Sequence, residues 1–396
     1  MGIGILARRT LSDFILFASE IFLGLLIVGL PSLVLQRLLV YHIPYTYIPH
    51  LIFYIFPECL QMLLPLSLMG GSVITFARMG AENEIMILKA SGIQPVWLIC
   101  PLLALSFILS FGAWYINDIS AISRERGIRN VLLNGAEDIV KGILKSTGEI
   151  NTPQLRIKAD SVDKDYLYGV SVHYMPSPTA TQIDIEAQRA RIQTDKLQWE
   201  FIIELADCRI REGNAQIVTH RKVDHYSIPI SAFLTQDAAS NITNAPMGQM
   251  FKELAVLNDK IKETQDQIAG DAAAILLTGE YSQYDSESMK RCHKDLKDYS
   301  NTYRKAIIEP YRRFTMGFAC LCLVILSAPL AIYYSKIGIY YNVFFSAAPT
   351  ISLFAILFVI GLNLGKQGAV PPWTICLADI VPFVLGVIMI KYVSNK

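Results

Sequence analysis

Two short motifs in the 396-residue chain have residue types that could bind phosphate or metal. The segment Gly361–Gln367 resembles a phosphate-binding loop, but it is one residue short between its glycines and has Gln where a magnesium-binding Ser or Thr is needed. His220 and His225 flank Asp224 in a region with strand patterning, whereas a zinc site needs three or four ligands. We therefore expect no catalytic group, no cofactor and no metal site.

Three carboxylates lie inside long apolar runs: Glu20, Glu58 and Asp379. A charged side chain in a bilayer is costly, so each is a functional candidate by default. They could form the proton relay of a secondary transporter. Alternatively, each is protonated, reaches the interface or faces a watery cavity. We favour the second interpretation because none of the apolar runs carries a relay-like series of ionisable residues.

A short segment between the second and third apolar runs is more informative. The charge order predicts a helix near residues 80–92, with Glu82 and Glu84 in its first turn and Lys89 in its last, as the helix dipole favours. Gly92 is a natural C-terminal stop. The apolar residues Ile85 and Leu88 share one face, so the helix is amphipathic. It is either a mere turn or a docking element for a cytoplasmic subunit.

The composition shows which elements must position these residues. Hydrophobic residues make up 53% of the chain and charged residues 17%, against roughly 25% charged in a typical soluble domain. Mean hydropathy is +0.38. Disorder, nucleic-acid binding and an ordinary soluble enzyme are therefore disfavoured. Residues 118–313 hold 54 of the 69 charges, which leaves two almost uncharged blocks around a water-soluble middle.

Six apolar stretches in these blocks are long enough to cross a bilayer core, which needs about 20 helical residues. They are Phe14–Leu35, Leu51–Ala77, Pro95–Asn117, Phe314–Ser335, Val343–Leu362 and Trp373–Val393. The first follows Arg8-Arg9 but is too long for a signal peptide, so we expect it to be retained. Lys and Arg are concentrated in the loops that are cytoplasmic when both termini are inside, which predicts an exported middle region.

The middle region has two patterns. Residues 150–235 alternate apolar and polar residues between turn signals, which predicts a β-sandwich, jelly roll or open barrel. Residues 247–309 have helical spacing interrupted once, which predicts a helical hairpin. The predicted fold is a polytopic α-helical membrane protein with six transmembrane helices, an exported β-jelly-roll-like domain and a helical hairpin insert. Its predicted domains are residues 1–117, 118–240, 241–313 and 314–396.

The segment Glu84–Ile93 has the sequence EIMILKASGI. It is similar to the coupling-helix pattern Glu-x-x-x-[Leu/Met]-[Arg/Lys]-Ala-[Ala/Ser]-Gly-Ile of the LptF/LptG (YjgP/YjgQ) permeases. Pro57 and Pro65 in the second span also resemble that family, as does Glu309–Arg313 before the fourth span. The order of three helices, an exported β-domain and three helices agrees with the family as well.

This resemblance implies a non-catalytic permease subunit of the ABC transporter that exports lipopolysaccharide or a similar glycolipid from the bacterial inner membrane. The implied partners are a homologous permease subunit in a heterodimer, a cytoplasmic ABC ATPase dimer and a periplasmic or bitopic bridge protein of LptC type. The implied topology has cytoplasmic termini and a periplasmic domain over residues 118–313. The alternatives are a secondary transporter, or a permease or scaffold for another lipid or a lipoprotein.

The resemblance also assigns candidate residues. Glu84 would be the main ATPase-coupling residue, and its predicted neighbours in that site are Arg78, Glu82, Leu88, Lys89 and Gly92. Three basic residues near the outer ends of helices are candidates for binding the phosphates of the lipid: Arg37, Arg312 and Arg313. Guanidinium groups bind phosphate bidentately, although a single terminal Arg can equally be an interface anchor.

Overall fold

The computed structural model describes residues 2–41, 48–92, 94–151, 155–163, 166–174, 183–195, 200–212, 218–220, 224–229, 242–243, 245–278 and 287–395. The chain forms two compact units. The membrane unit comprises Met1–Pro31, Phe56–Arg124 and Ala238–Lys396. The β unit comprises Ser32–Ile55 and Glu125–Asp237.

Helices dominate the described residues. They are α1 (Gly2–Tyr41), α2 (Ile48–Ala81), α3 (Glu84–Ala90), α4 (Val96–Thr147), α5 (Met247–Thr278), α6 (Glu287–Ile307), α7 (Glu309–Tyr333), α8 (Ile339–Gln367) and α9 (Leu377–Asn395), with a short 3-10 helix at Pro372–Cys376. Apolar helices suit a bilayer because all their backbone polar groups bond within the helix.

Within the described residues, six helical segments are long and apolar enough to cross a membrane. They are Gly4–Gln36, Ile48–Ala81, Val96–Ser120, Met289–Tyr333, Ile339–Gln367 and Pro372–Asn395. Each of the six predicted spans overlaps one of them, so the prediction of six helices long and apolar enough to cross a bilayer is confirmed. The third span continues as helix to Thr147, well beyond the predicted end at Asn117.

Small residues bring the membrane helices of the membrane unit close together. A Cβ added to Gly71 would lie 2.8 Å from the Cβ of Ala18, and one added to Gly386 would lie 2.6 Å from the carbonyl oxygen of Ile325. Glycine at these positions lets α2 approach α1 and lets α9 approach α7. The Ser72 and Ser327 hydroxyls, 2.9 Å apart, join α2 to α7.

The β unit is built on an antiparallel sheet. Its strands are β1 (Glu149–Asn151), β2 (Leu155–Lys158), β3 (Ser161–Val162), β4 (Leu167–Tyr174), β5 (Ile183–Asp195), β6 (Glu200–Glu212), β7 (Val218–His220) and β8 (Asp224–Pro229). The order is β1-β2-β4-β5-β6-β7, with β3 pairing β4 and β8 pairing β6. Strands therefore lie where alternation predicted them, while their closure into a jelly roll stays a prediction.

The register of the sheet explains its core. Val172 lies opposite Ile185, and Val170 lies opposite Ala187. All four are buried, together with Leu144 from the end of α4. Because side chains alternate across a strand, this register places one apolar face of β4 and β5 in the core.

Two helices follow the β unit in the chain. Met250 and Leu254 of α5 pack with Ala306 of α6 in a buried cluster that also contains Ala245. Contact between the beginning of α5 and the end of α6 brings these two helices against each other in the membrane unit. Pro310 stands near the start of α7, where its missing N–H costs no helical hydrogen bond.

Candidate functional site

The candidate coupling residues surround a tight connection between α2 and α4. α2 ends at Ala81, and Asn83 has a left-handed φ of 58°, which interrupts the helix. α3 begins at Glu84 and ends at Ala90, and Gly92 follows with a φ of 73°. The helix is therefore shorter than the predicted segment 80–92, because a residue in the left-handed conformation cannot continue an α-helix.

α3 has one buried face and one exposed face. Ile85 and Leu88 are buried in the core of the membrane unit, as their i, i+3 spacing predicted. Met86 and Ile87 are 56% and 62% exposed, and Lys89 is exposed beside them. Leu88 therefore anchors the helix. The sequence analysis does not name Met86 and Ile87 as candidate binding residues. Their position between the two predicted buried residues, Ile85 and Leu88, is the feature that could have identified them.

Ion pairs fix the acidic residues of this region. The Glu84 carboxylate lies 3.4 Å from the Arg9 guanidinium of α1. Arg78 Nε donates to Glu82 Oε1 at 2.8 Å, from the last turn of α2. Because α3 begins at Glu84, Glu82 precedes the helix, and the prediction that it lies in the first turn is wrong. Among the candidate residues, Glu84 carries the negative charge at the start of α3, and its side chain stays one-quarter exposed.

The residues around Arg313 form a buried ionic cluster that also includes Asp118 and Glu309. Arg313 is 1% exposed, and its guanidinium donates to Asp118 Oδ1 at 2.6 Å and to Glu309 Oε1 at 3.3 Å. It also donates to the carbonyl oxygens of Thr243 and Ala245, at 2.7 and 3.0 Å. Four acceptors on three segments compensate for the loss of water around this cation.

Other bonds extend this cluster into neighbouring helices. The Met247 N–H donates to Asp118 Oδ1 at 3.0 Å, and Asn117 Nδ2 donates to the Arg313 carbonyl at 3.2 Å. The cluster therefore joins α4, α7 and the beginning of α5. This arrangement positions helices, because the Arg313 guanidinium is directed into the protein.

The other two basic candidates differ from Arg313. Arg312 donates to both carboxylate oxygens of Glu309, at 2.8 and 2.6 Å, and its side chain is 22% exposed. Arg37 lies in α1, but its side chain is outside the described part of the structure. Arg312 therefore has a bidentate carboxylate partner and still reaches the surface.

The remaining sequence candidates lie in separate elements. Glu20 is exposed on α1, Glu58 is half-buried on α2 and Asp379 is buried on α9. The loop-like segment Gly361–Gln367 is the last part of helix α8. His220 and His225 belong to β7 and β8, and their side chains lie outside the described residues. Across the described residues, no group of three or more His, Cys, Asp or Glu side chains could hold a metal ion.

Residues 5–392 match a family model described as "Lipopolysaccharide export system permease LptF/LptG". No curated protein gives a significant match. The family match covers both blocks of membrane helices, the β unit and the α3 region.

Proposed function

Because the chain belongs to the LptF/LptG family of lipopolysaccharide export permeases, we propose that it is a permease subunit of an ABC transporter. The transporter extracts lipopolysaccharide or a similar glycolipid from the inner membrane and passes it to a periplasmic β-bridge. The chain itself is non-catalytic, and a cytoplasmic ATPase dimer hydrolyses ATP. The six membrane spans and the family match over nearly the whole chain support this proposal.

The observation that carries the proposal is the exposed face of α3. Met86 and Ile87 leave apolar surface uncovered beside the charged Lys89. An apolar patch with a charged rim is typical of protein-binding surfaces. Glu84 stands at the start of this surface, where an arginine or lysine of an ATPase subunit can pair with it.

Burial of the other face of α3 provides a route for coupling. Ile85 and Leu88 share a buried cluster with Phe76 of α2 and Leu98 of α4. A displacement of α3 by the ATPase would therefore be passed to the helices on either side, since close-packed cores transmit strain. In this mechanism α3 acts as a rigid lever between nucleotide-driven movement and the membrane helices.

The proposed topology places both termini in the cytoplasm and residues 118–313 in the periplasm. The β unit then serves as the first element of the β-bridge, in jelly-roll form, and contacts a bitopic protein of LptC type. A homologous permease subunit completes the lipid pathway. The positive-inside distribution of Lys and Arg supports this orientation.

We assign different roles to the basic candidates at the exported side. Arg312 reaches the surface and can share its guanidinium between Glu309 and a lipid phosphate. Arg37 is proposed for the same role from α1. The buried Arg313 keeps the segment that bears Arg312 in place.

A charge-reversal experiment tests the coupling assignment. The complete complex is purified through a tag on this chain, and the amount of co-purified ATPase is measured. Glu84→Lys should lower ATPase affinity about tenfold or more, because it places like charges together at the interface. Asp259→Lys is the matched control, since Asp259 is an exposed carboxylate of α5 on the periplasmic side of the proposed topology, and it should retain the ATPase. Normal ATPase retention and lipid export with Glu84→Lys would refute the assignment.

A further inference from the structure

An apolar cavity of about 720 Å³ lies in the membrane unit. α5, α6, α4, α7 and the 3-10 helix all contribute to its walls. The largest lining side chains are Trp114, Phe251, Tyr303, Tyr311 and Phe314. The size is within the usual range for ligand sites, and none of the described lining residues is charged.

One face of α5 is directed at this cavity. Met247, Phe251, Leu254, Ala255 and Asn258 all line it, with the i, i+4, i+7, i+8 and i+11 spacing of a helical stripe. α5 is rich in charged residues, yet the side chain of its aromatic residue Phe251 is 55% exposed. An exposed aromatic side chain on such a helix indicates a surface that something apolar covers.

The cavity lies at the edge of the membrane helices. Trp114 belongs to the span Val96–Ser120, Phe314 to Met289–Tyr333 and Cys376 to Pro372–Asn395. Trp114 and Tyr311 are aromatic residues of the kind enriched where hydrocarbon meets the headgroups. A bilayer around these spans would bring lipid to the cavity.

We propose that this cavity holds one acyl chain of a bilayer glycerophospholipid, which ties α5 and α6 to the membrane ends of α4 and α7. An α-helix with side chains is 10–12 Å wide and occupies roughly 500 Å³ per turn, so the cavity has room for less than two turns of a protein helix. A single acyl chain is thin enough to enter it.

The lack of charge in the lining selects a hydrocarbon chain over a headgroup. The described lining provides Asn258, the tyrosines, the Trp114 indole and the Cys376 thiol as polar groups, and none of them is a cation that could pair with a phosphate. An ordinary phospholipid can insert one tail here and leave its headgroup in the interface. Binding of this chain needs neither ATP nor the ATPase.

The test places a photo-cross-linker at Phe251 in the complete complex in native membranes. Phe251→p-benzoylphenylalanine is irradiated, the complex is purified, and the mass of the modified peptide is measured. We expect an adduct with the mass of a glycerophospholipid. An adduct with lipopolysaccharide, with a partner protein or with a second copy of this chain would overturn the proposal.

A second variant separates a bound chain from the surrounding lipid. Ala255→Trp places an indole ring in the wall and narrows the cavity. Displacing only two methylene groups of a bound chain corresponds to about tenfold weaker binding, so the phospholipid adduct should fall about tenfold. Ala273→Trp adds the same ring to an exposed position of α5 outside the cavity and should leave the adduct unchanged. Equal adduct yields in the two variants would refute a bound chain. If Ala255→Trp does not accumulate, Ala255→Gln tests the same wall with a smaller polar group and should act in the same direction.

Discussion

The α3 region and the Arg313 cluster both contain ion pairs of the membrane unit, but their charges differ in exposure. Near α3, Glu84 and Arg9 form an ion pair in which the two side chains are 25% and 57% exposed. Arg313 is almost completely buried and has four protein acceptors. Charges that stay exposed remain available to a partner, whereas charges satisfied inside the protein fix how helices meet.

The energetics of the two regions differ for the same reason. An exposed pair such as Arg9–Glu84 contributes about 0.2–1 kcal/mol, because water already solvates both ions. Removing one partner from a buried pair costs about 3–5 kcal/mol, since the other charge is left without compensation. Stability should therefore depend on the Arg313 cluster, and subunit binding should depend on the α3 region.

The largest effect is expected from Arg313→Leu. The substitution leaves Asp118 without its cation and removes the donors to the Thr243 and Ala245 carbonyls, while Glu309 keeps its pair with Arg312. It should destabilise the membrane unit by about 3–5 kcal/mol. Thermal unfolding of the purified protein in mild detergent measures this loss. Arg312→Leu is the matched control and should cost less, because the Arg312 side chain is partly exposed and has Glu309 as its partner. Equal losses for the two variants would contradict the distinction between them.

The next effect concerns the two faces of α3. Leu88→Ala removes a buried side chain and should cost about 2–5 kcal/mol of stability, as large-to-small core substitutions do. Ile87→Ala changes an exposed side chain and should alter stability by less than about 0.5 kcal/mol.

Affinity for the ATPase gives the complementary readout for α3. Ile87→Ala should weaken ATPase binding in a pull-down even though the fold is unaffected, because apolar surface is lost from the proposed interface. Unchanged ATPase binding would remove Ile87 from that interface. A stable Leu88→Ala variant would show that burial of this face does not hold α3 in place.

The smallest effect is expected from Arg9→Gln. Loss of the exposed pair with Glu84 should change thermal stability by less than about 1 kcal/mol. It should also free the Glu84 carboxylate for a basic residue of the ATPase and strengthen binding modestly at low salt. Titration at two ionic strengths measures this, since salt screens exposed charges. Weaker binding at low salt would indicate that Arg9 itself contacts the ATPase.

The sequence predicted the positions of the membrane helices well and the roles of the charged side chains less well. The six spans could be predicted because apolar length can be compared directly with bilayer thickness. The strands of the β unit followed from alternation, and the buried face of α3 followed from the spacing of Ile85 and Leu88. Arg313 was predicted as a lipid ligand from its type and its place before a span, and neither property shows whether a side chain is buried.

The sequence by itself therefore determined the elements, because helix length, strand alternation and the position of a stop such as Gly92 depend on neighbouring residues. Only the tertiary structure decided what the charged groups do. Arg313 meets Asp118 across 195 residues of chain, and Glu84 meets Arg9 on another helix. Burial and pairing depend on which distant helices pack together, so the same residue type is a structural anchor in one place and an accessible contact in another.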